Sequence, residues 1–338
     1  MERQRVKKVR LRNNMDEKMT NNSYSNMHDM LKDCISEVQA NASKMDLPGI
    51  SSGFSDLDEL TCGFEPGKVY VVGAKPAMGK MEFMLSMIRN ITLESKVPVL
   101  LLSTNHTKSD YLCRLLSIHS GIPTSQFHKG RLKPQEWGKL DIEITMLLNA
   151  QLFIHDSWDL PISELVATTR NCIKEEGIKI VFIDCLQMID FGKADGNSSE
   201  RVAKVMSALK RLACEVKLPV VVGALLNGDA ELREGIEGKR PQLNDLADFS
   251  FVEELADVVM MVHRPEYYRI FTDDHGRELR GLIEIFVMKN AFKPLGSVSL
   301  NYREDTGLVS NPVRLRHFTT SNKAVKNLIK TFDLKEGK

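Results

Sequence analysis

Short apolar runs recur along the chain, and each is long enough for one buried strand. The runs are Val69 to Ala74, Val97 to Ser103, Gln151 to His155, Ile178 to Asp184, Pro219 to Leu226 and Asp257 to His263. Segments with apolar residues at helical spacing, such as Val202 to Val216, separate most of them. Nearly continuous apolar strands are typical of a parallel sheet that helices cover on both faces. The pattern therefore predicts an α/β fold with a mainly parallel sheet.

The pattern changes toward the end of the chain. Tyr267 to Phe271, Leu282 to Met288 and Ser297 to Tyr302 are further strand-like runs, and Asp274-His275-Gly276 is a turn signal. We expect these three runs to be antiparallel strands that extend the sheet. The last residues, Phe318 to Lys338, are lysine-rich and show only a weak helical pattern.

The first 26 residues are basic and then polar, and they cannot bury a core. Composition favours a solvated tail, or translation from an upstream start codon, over phosphate contacts with nucleic acid. The basic side chains at the start are Arg3, Arg5, Lys7, Lys8, Arg10 and Arg12.

A helix with one apolar face is predicted from Met27 to Val38, and Asn26 is placed to cap it. The stripe needs a partner surface, and Pro48 and Gly49 break the chain after it. We therefore divide the chain into a basic tail (1–26), a linker helix (27–46), a main domain (47–312) and a lysine-rich tail (313–338). The apolar stripe consists of Met27, Met30, Leu31, Cys34, Ile35 and Val38.

Composition excludes several classes of protein. The formal net charge is +1, so any attraction to nucleic acid must come from local basic patches. The longest apolar runs are strand-sized, and no signal-peptide stretch follows the basic start, so we expect a cytoplasmic protein without a membrane partner. The six cysteines show no C-x-x-C pair and no nearby histidine at metal-ligand spacing, which favours reduced thiols over a zinc site.

The clearest chemical motif is a G-x-x-x-x-G-K loop between a predicted strand and a predicted helix. In such a loop, backbone N–H groups and the positive helix end hold phosphate oxygens, and the lysine reaches the outer phosphates. The motif predicts binding of a nucleotide such as ATP. Its residues are Gly73, Ala74, Lys75, Pro76, Ala77, Met78, Gly79 and Lys80.

Magnesium binding is expected to be weak. The motif should close with Ser or Thr, whose hydroxyl ligates Mg²⁺, but position 81 is Met81, and a thioether is a poor ligand for a hard cation. Glu82 is turned about 100° away around the helix and is a poor substitute for that hydroxyl. Asp184 ends a buried strand and matches the Walker B pattern, whose acid holds the metal through its shell.

Several segments together resemble the DnaB-family replicative helicases, in that family's order, over residues 47 to about 305. A recombinase of the RadA or KaiC sort would share the first two segments, but not the Arg-Pro-Glu-Tyr segment or the Leu-Gln after the acid. The resemblance implies a RecA-like ATPase domain preceded by a linker helix, without the family's N-terminal primase-contacting domain. The segments are Gly49 to Asp58, Ala74 to Lys80, Ile183 to Gln187, Lys239-Arg240-Pro241, Asp245-Leu246, Ala256 to Met260 and His263 to Tyr268.

The resemblance assigns roles to residues that match the family's motifs. It makes Lys80 the phosphate lysine, Asp184 the metal-associated acid, and Arg264 an arginine that contacts the base or ribose. Lys289 becomes a lysine that reaches the γ-phosphate bound to a neighbouring subunit. Lys239 and Arg240 become candidate DNA contacts.

Four family positions carry a different residue. Asn105 stands where the family has the glutamate that polarises the attacking water, and Leu225 where it has a glutamine that senses the γ-phosphate. Ala291 replaces the arginine finger, and Ala247 replaces an arginine of the DNA-binding loop. His106 and His155 lie near strand ends, where a hydrogen-bonded structural role is favoured over a replacement base. Since loss of a finger alone costs about 10³ to 10⁵ in turnover, we expect weak or lost hydrolysis.

Two functions remain open from the sequence. One is an ATP-dependent DNA helicase that travels on single-stranded DNA as a homo-oligomer, a hexameric ring held through the Met27–Val38 helix. The other is a non-hydrolysing nucleotide-binding paralogue that assembles with DNA or with another helicase subunit. The substitutions in the hydrolytic site favour the second function, and the family resemblance favours the first.

Overall fold

The computed structural model describes residues 26–28, 30–32, 35–36, 47–158, 160–190, 198–246, 249–291 and 294–312. The chain divides into two compact units, Met1–Pro48 and Gly49–Lys338. The basic tail before residue 26, Ala247 and the lysine-rich tail from residue 313 lie outside the described residues.

In the first unit, the described residues from 27 to 36 are helical, as the apolar stripe predicts. The N–H of Met30 donates to the carbonyl of Asn26 at 3.1 Å, so the helix begins close to the expected residue. Met27, Met30, Leu31 and Ile35 are each more than half exposed. The described residues of this unit therefore leave the stripe uncovered, while Cys34 and Val38 fall outside the described residues.

In the second unit, the described residues form one nine-stranded sheet in the order β3-β2-β4-β5-β1-β6-β7-β8-β9. The strands from β3 to β6 in this order are parallel, and β7, β8 and β9 continue the sheet antiparallel. The predicted fold class is thus confirmed. The bounds are β1 Val69–Ala74, β2 Val99–Ser103, β3 Leu152–Asp156, β4 Ile180–Asp184, β5 Val220–Leu225, β6 Val258–His263, β7 Leu282–Asn290, β8 Gly296–Arg303 and β9 Leu308–Ser310.

Helices cover both faces of the sheet because its central strands are apolar on both sides. The helices are α1 Ser55–Thr61, α2 Lys80–Arg89, α3 Lys108–Ser120, α4 Thr124–Lys129, α5 Pro134–Leu147, α6 Ile162–Glu176, α7 Ser198–Val216, α8 Gly235–Lys239 and α9 Phe249–Leu255. One core packs Phe83 and Leu115 from α2 and α3 against the sheet, and the other packs Leu165 and Leu209 from α6 and α7. No helix among the described residues is long and apolar enough to span a membrane.

The prediction of a strand from Tyr267 to Phe271 is wrong. Pro265–Tyr268 form a 3₁₀ turn, and Arg269 ends it in the left-handed region at φ 59°. Proline favours the first position of such a turn because it lacks an N–H, and this local preference outweighs the strand propensity of the tyrosines. The sequence pattern also does not predict the three-residue strand β9, since so short a run carries no periodicity.

Candidate functional site

The phosphate loop lies where the sequence predicts it, between the end of β1 and the start of α2. Gly79 precedes the helix in the left-handed region at φ 87°, a conformation that favours glycine. The first N–H groups of α2 have no partner within the helix, so they are available to phosphate oxygens. The loop and helix thus form the local structure that phosphate binding requires.

The strand order brings Lys80 and Asp184 together. Parallel strands β4, β5 and β1 are neighbours, so the acid at the end of β4 and the loop after β1 lie at one edge of the sheet. The Lys80 Nζ atom lies 2.5 Å from Asp184 Oδ1, and the two side chains are only 12% and 4% exposed. The two residues predicted to form the phosphate and metal site are therefore a buried ion pair.

The sequence does not reveal two further residues of this site. The hydroxyl of Tyr111, in α3, donates to Asp184 Oδ2 at 3.1 Å. Burial, and next the charge of Asp184, raise the pKa of this phenol, which therefore stays protonated. A Cβ atom on Gly223, in β5, would lie 2.9 Å from Asp184 Oδ1 and 3.0 Å from Lys80 Nζ. A glycine inside a buried strand signals such a close approach, whereas the sequence around Tyr111 is typical of an ordinary core aromatic.

The residues present do not fit a tightly bound magnesium ion. Met81 occupies the hydroxyl position, and it packs against the core. The neighbouring carboxylate of Glu82 is engaged 2.7 Å from the guanidinium of Arg114. Both oxygens of Asp184 have donors already, and the described residues contain no group of three acidic, histidine or cysteine side chains that could hold a metal.

A second charged residue of the loop connects it to the segment after β5. Lys75 is buried, and its Nζ atom donates to Glu231 Oε1 at 2.8 Å and to the Tyr268 hydroxyl at 3.0 Å. The same hydroxyl also donates to Glu231 Oε1, at 2.8 Å. The hydrogen bond from Lys75 lowers the pKa of the Glu231 carboxyl. The cluster holds the phosphate loop against the 226–246 segment through a charged contact.

Arg264 supports the loop from its other side. One guanidinium nitrogen donates to the carbonyl of Ala77 at 3.2 Å, and another lies 3.0 Å from Glu304 Oε1. The guanidinium stacks 4.4 Å from the ring centre of Tyr302. Tyr302 and Glu304 also line a cavity of about 360 Å³ that reaches Glu82, close to the end of the loop.

Comparison with known proteins places this arrangement in a family. The model for the DnaB-like helicase C-terminal domain matches residues 49–311. The chain belongs to this family.

Among curated relatives, the replicative DNA helicase DnaC of Bacillus subtilis is 29% identical over 83% of this chain and 60% of its own length. The replicative DNA helicase DnaB of Geobacillus stearothermophilus is 30% identical over 76% of this chain and 55% of its own length. The chain therefore spans less than two thirds of these relatives.

Solved structures agree on the fold. A solved ATPase domain superimposes with a TM-score of 0.77 and 26% identity, over 86% of this chain and 100% of that domain. A DnaB-like replicative helicase, solved in work on its interactions with primase, gives a TM-score of 0.75 at 25% identity, over 90% of this chain and 71% of its own. The RecA-like ATPase fold of the DnaB family is thus confirmed for this chain.

In this DnaB-like chain, the positions assigned to hydrolysis lie on separate elements. Asn105 follows β2 at the edge that holds Asp184, because Ser103 and Asp184 are partners in the β2–β4 ladder. Leu225 ends β5. Its N–H donates to Gln187 Oε1 at 3.0 Å, and its carbonyl accepts from Gln187 Nε2 at 3.2 Å.

The two histidines near strand ends lie at different distances from the acid. His106 follows β2 and packs edge-on against Tyr111, and burial lowers its pKa. His155 lies in β3, one strand further from Asp184. The Nε2 atom of His155 is buried and has no hydrogen-bond partner among the described residues, so the hydrogen-bonded role expected for this histidine is not supported at that atom.

Residues assigned to the neighbouring subunit's site lie away from the phosphate loop of their own chain. Lys289 is on β7, and its ammonium donates to the carbonyl of Glu253 and, at 2.5 Å, to that of Ala256 at the end of α9. The N–H of Ala291 donates to the carbonyl of Asp257 at 3.0 Å. Within one chain these contacts fix the end of α9, and they leave the finger position with a methyl group.

The two candidate DNA contacts lie on the segment after β5, beside the Lys75 cluster. Lys239 Nζ donates to the carbonyl of Glu231 at 2.9 Å and lies 5.7 Å from the ring centre of Tyr268. Arg240 pairs with Glu237 and lies over the ring of Phe286. Both cations therefore have partners in the protein, and contact with a nucleic-acid phosphate would compete with those partners.

Proposed function

We propose that this chain is a DnaB-like replicative helicase subunit that binds ATP, associates with single-stranded DNA and hydrolyses ATP weakly or not at all. The buried Lys80–Asp184 pair at the end of an intact phosphate loop carries this proposal. An ammonium positioned there is able to exchange its carboxylate partner for a phosphate, since both are anions that accept charge-assisted hydrogen bonds.

The nucleotide would occupy the loop and the space beside it. The backbone N–H groups and the α2 end would bind phosphate oxygens, with no requirement for a hydroxyl at position 81. The cavity near Tyr302 and Glu304 would accept the ribose or base, next to the guanidinium of Arg264. In this placement Arg264 would contact the base or ribose.

Weak hydrolysis follows from what the site lacks. Asn105 is no carboxylate base, Met81 is no magnesium ligand, and Ala291 cannot stabilise charge on a transferring phosphate. In a ring, Met81 and Asn105 would belong to the subunit whose loop holds the nucleotide, the near side. Ala291 would come from the neighbouring subunit, the far side. A homo-oligomer of this chain would therefore be deficient on both sides.

Self-association is supported by exposed apolar side chains. The described residues of the stripe, Met27, Met30, Leu31 and Ile35, are exposed, which for a helix indicates a missing partner surface. We propose that a homo-oligomer, the hexameric ring that the family resemblance implies, covers the stripe. We also propose that the protein works in the cytoplasm.

A non-hydrolysing paralogue is the second candidate. The residues at positions 81, 105, 225 and 291 favour it, because these four positions assigned to hydrolysis have changed while the glycines and the lysine of the phosphate loop have not. Such a chain would join an active helicase subunit as an assembly or regulatory partner.

One pair of measurements tests nucleotide binding and hydrolysis by this chain. Steady-state phosphate release with and without single-stranded DNA is measured beside a titration with a fluorescent adenine nucleotide. We expect binding with little release. Brisk DNA-stimulated release would contradict the hydrolytic part of the proposal, and no binding at millimolar nucleotide would contradict all of it.

A further inference from the structure

Tyr111 is an unexplained polar group in the phosphate site. Helix α3 begins shortly after β2, and Thr107 and Asp110 fix its start through a reciprocal capping pair. Tyr111 follows within the first turn and is only 1% exposed. Its hydroxyl is directed at Asp184 Oδ2, across the strand pair β2–β4. The capped helix therefore presents a neutral donor to the acid from a fixed position.

Asp184 depends on its donors because it is buried. Lys80 supplies the only ammonium that the structure brings to the carboxylate among the described residues, and Tyr111 supplies the phenol. When Lys80 turns to a phosphate, a carboxylate without another donor would be left buried and unpaired, which is costly. In a magnesium-dependent site, water molecules of the metal shell fulfil this need, but Met81 and the Glu82–Arg114 pair disfavour such a shell here.

We propose that Tyr111 is a positioning residue that takes the place of the hydrated metal at Asp184. It holds the carboxylate through Oδ2, so that Lys80 is free to bind the phosphates of a nucleoside di- or triphosphate that carries no divalent cation. This inference rests on the proposed function that the loop binds nucleotide. It adds the residue that makes the binding independent of metal.

A merely structural role for Tyr111 gives a different expectation. If the phenol only satisfies a buried hydroxyl, its loss lowers the stability of the fold and affects nucleotide binding equally with and without magnesium. If it replaces the metal shell, its loss frees Oδ2 to accept from metal-bound water. The dependence of affinity on magnesium then separates the two roles.

The test uses full-length Tyr111→Phe and a matched control, Tyr70→Phe. Tyr70 is also buried, and its hydroxyl donates to the carbonyl of Gly63 at 3.1 Å and accepts from the N–H of Glu65 at 2.7 Å, away from the phosphate loop. A fluorescent ADP analogue is titrated into each protein in excess Mg²⁺ and in excess EDTA. The readout is the ratio of the Kd in EDTA to the Kd in Mg²⁺.

We expect a ratio near one for the unaltered protein and for Tyr70→Phe. For Tyr111→Phe we expect a rise of about fivefold, which corresponds to about 1 kcal/mol. A ratio for Tyr111→Phe within twofold of the unaltered protein overturns the inference and leaves nucleotide binding intact. Strong magnesium dependence of the unaltered protein also overturns it, and absence of binding in both conditions overturns the proposed function instead.

Thermal unfolding of each protein checks that the variants are folded. If Tyr111→Phe does not fold, Tyr111→Leu, which also removes the hydroxyl, is titrated in its place. A double-mutant cycle with Asp184→Asn tests the contact without nucleotide. We expect the double variant to lose less Tm than the two single losses added together, and simple additivity would refute the contact on which the inference rests.

Discussion

Replacing Lys80 by alanine should change both nucleotide affinity and the stability of the free protein. The ammonium is bound to a carboxylate that is 4% exposed, so the variant leaves a buried charge with the Tyr111 phenol as its remaining side-chain donor. Removing one partner of a buried pair costs about 3 to 5 kcal/mol, and the surviving hydrogen bond places this case at ~3 kcal/mol. Nucleotide affinity should fall at least tenfold, about 1.4 kcal/mol, because a direct phosphate contact is lost.

Lys210→Ala is the matched control. Lys210 Nζ lies 2.5 Å from Asp257 Oδ2, the same separation as in the Lys80 pair, but the side chains are 30% and 20% exposed. Asp257 also keeps the N–H of Val69 as a donor at 2.7 Å. We therefore expect a loss of only about 1 kcal/mol in unfolding free energy, and no change in nucleotide affinity.

Urea unfolding and a fluorescent-nucleotide titration provide the two measurements. If Lys80→Ala loses no more stability than Lys210→Ala, the reasoning from the buried Lys80–Asp184 contact is refuted. If Lys80→Ala keeps its affinity within twofold, the nucleotide binds elsewhere. The two results are independent, so each part of the reasoning is refutable by itself.

Separate features of the chain lead to three further predictions. Gly223→Ala should weaken nucleotide binding about tenfold, since its methyl group would press on Lys80 and Asp184. Gly138→Ala, with open space around it in α5, should instead stabilise the helix by up to ~1 kcal/mol. A nucleotide titration and urea unfolding of both variants measure these changes. Removal of residues 1–46 should leave a folded monomer, and an unchanged oligomer in light scattering would contradict the role of the apolar stripe. Phosphate release should stay low in the near-side variant Met81→Thr with Asn105→Glu, and should rise sharply when the far-side change Ala291→Arg is added. The reason is that groups that act on one transition state are strongly non-additive. Fast release by the unaltered protein would refute this prediction.

The phosphate loop and the acid strand could be predicted because their information is local. The loop's ligands are backbone N–H groups, and its glycines and lysine stand in one short stretch between a strand and a helix. Asp184 is equally visible as the acid that ends an apolar run. The parallel sheet then follows from the succession of buried strands, because such strands require helices on both faces.

The contacts around the acid could not be predicted, because they depend on strand order. Tyr111 and Gly223 stand on elements far apart in the sequence, and both reach Asp184 only because β4 lies between β2 and β5. Arg264 illustrates the same limit, since its hydrogen bond to the Ala77 carbonyl and its stack on Tyr302 join distant segments. No periodicity or motif in the chain specifies these pairs.

Under the proposed function, phosphate binding and hydrolysis would use separate parts of this fold. Binding would use backbone donors and Lys80, which belong to one loop and its helix. Hydrolysis would need side chains from other places, and two of those places are tied into the structure by backbone contacts. Gln187 holds the N–H and carbonyl of Leu225, and the carbonyl of Asp257 holds the N–H of Ala291. Loss of the reactive side chains therefore leaves the backbone framework in place.

Lys289 and Ala291, the far-side residues, would also separate nucleotide binding from hydrolysis. Lys289 satisfies carbonyl groups at the end of α9, so reaching a neighbour's phosphate would require it to leave those acceptors. The carbonyl groups at the helix end can bind water once the lysine leaves. The lysine itself gains from leaving only if the phosphate is a stronger hydrogen-bond partner than those carbonyl groups. Without an arginine at position 291 to share the charge, the exchange would bring one cation to the transferring phosphate. A neighbouring copy of this chain would therefore contribute to holding the nucleotide more than to cleaving it.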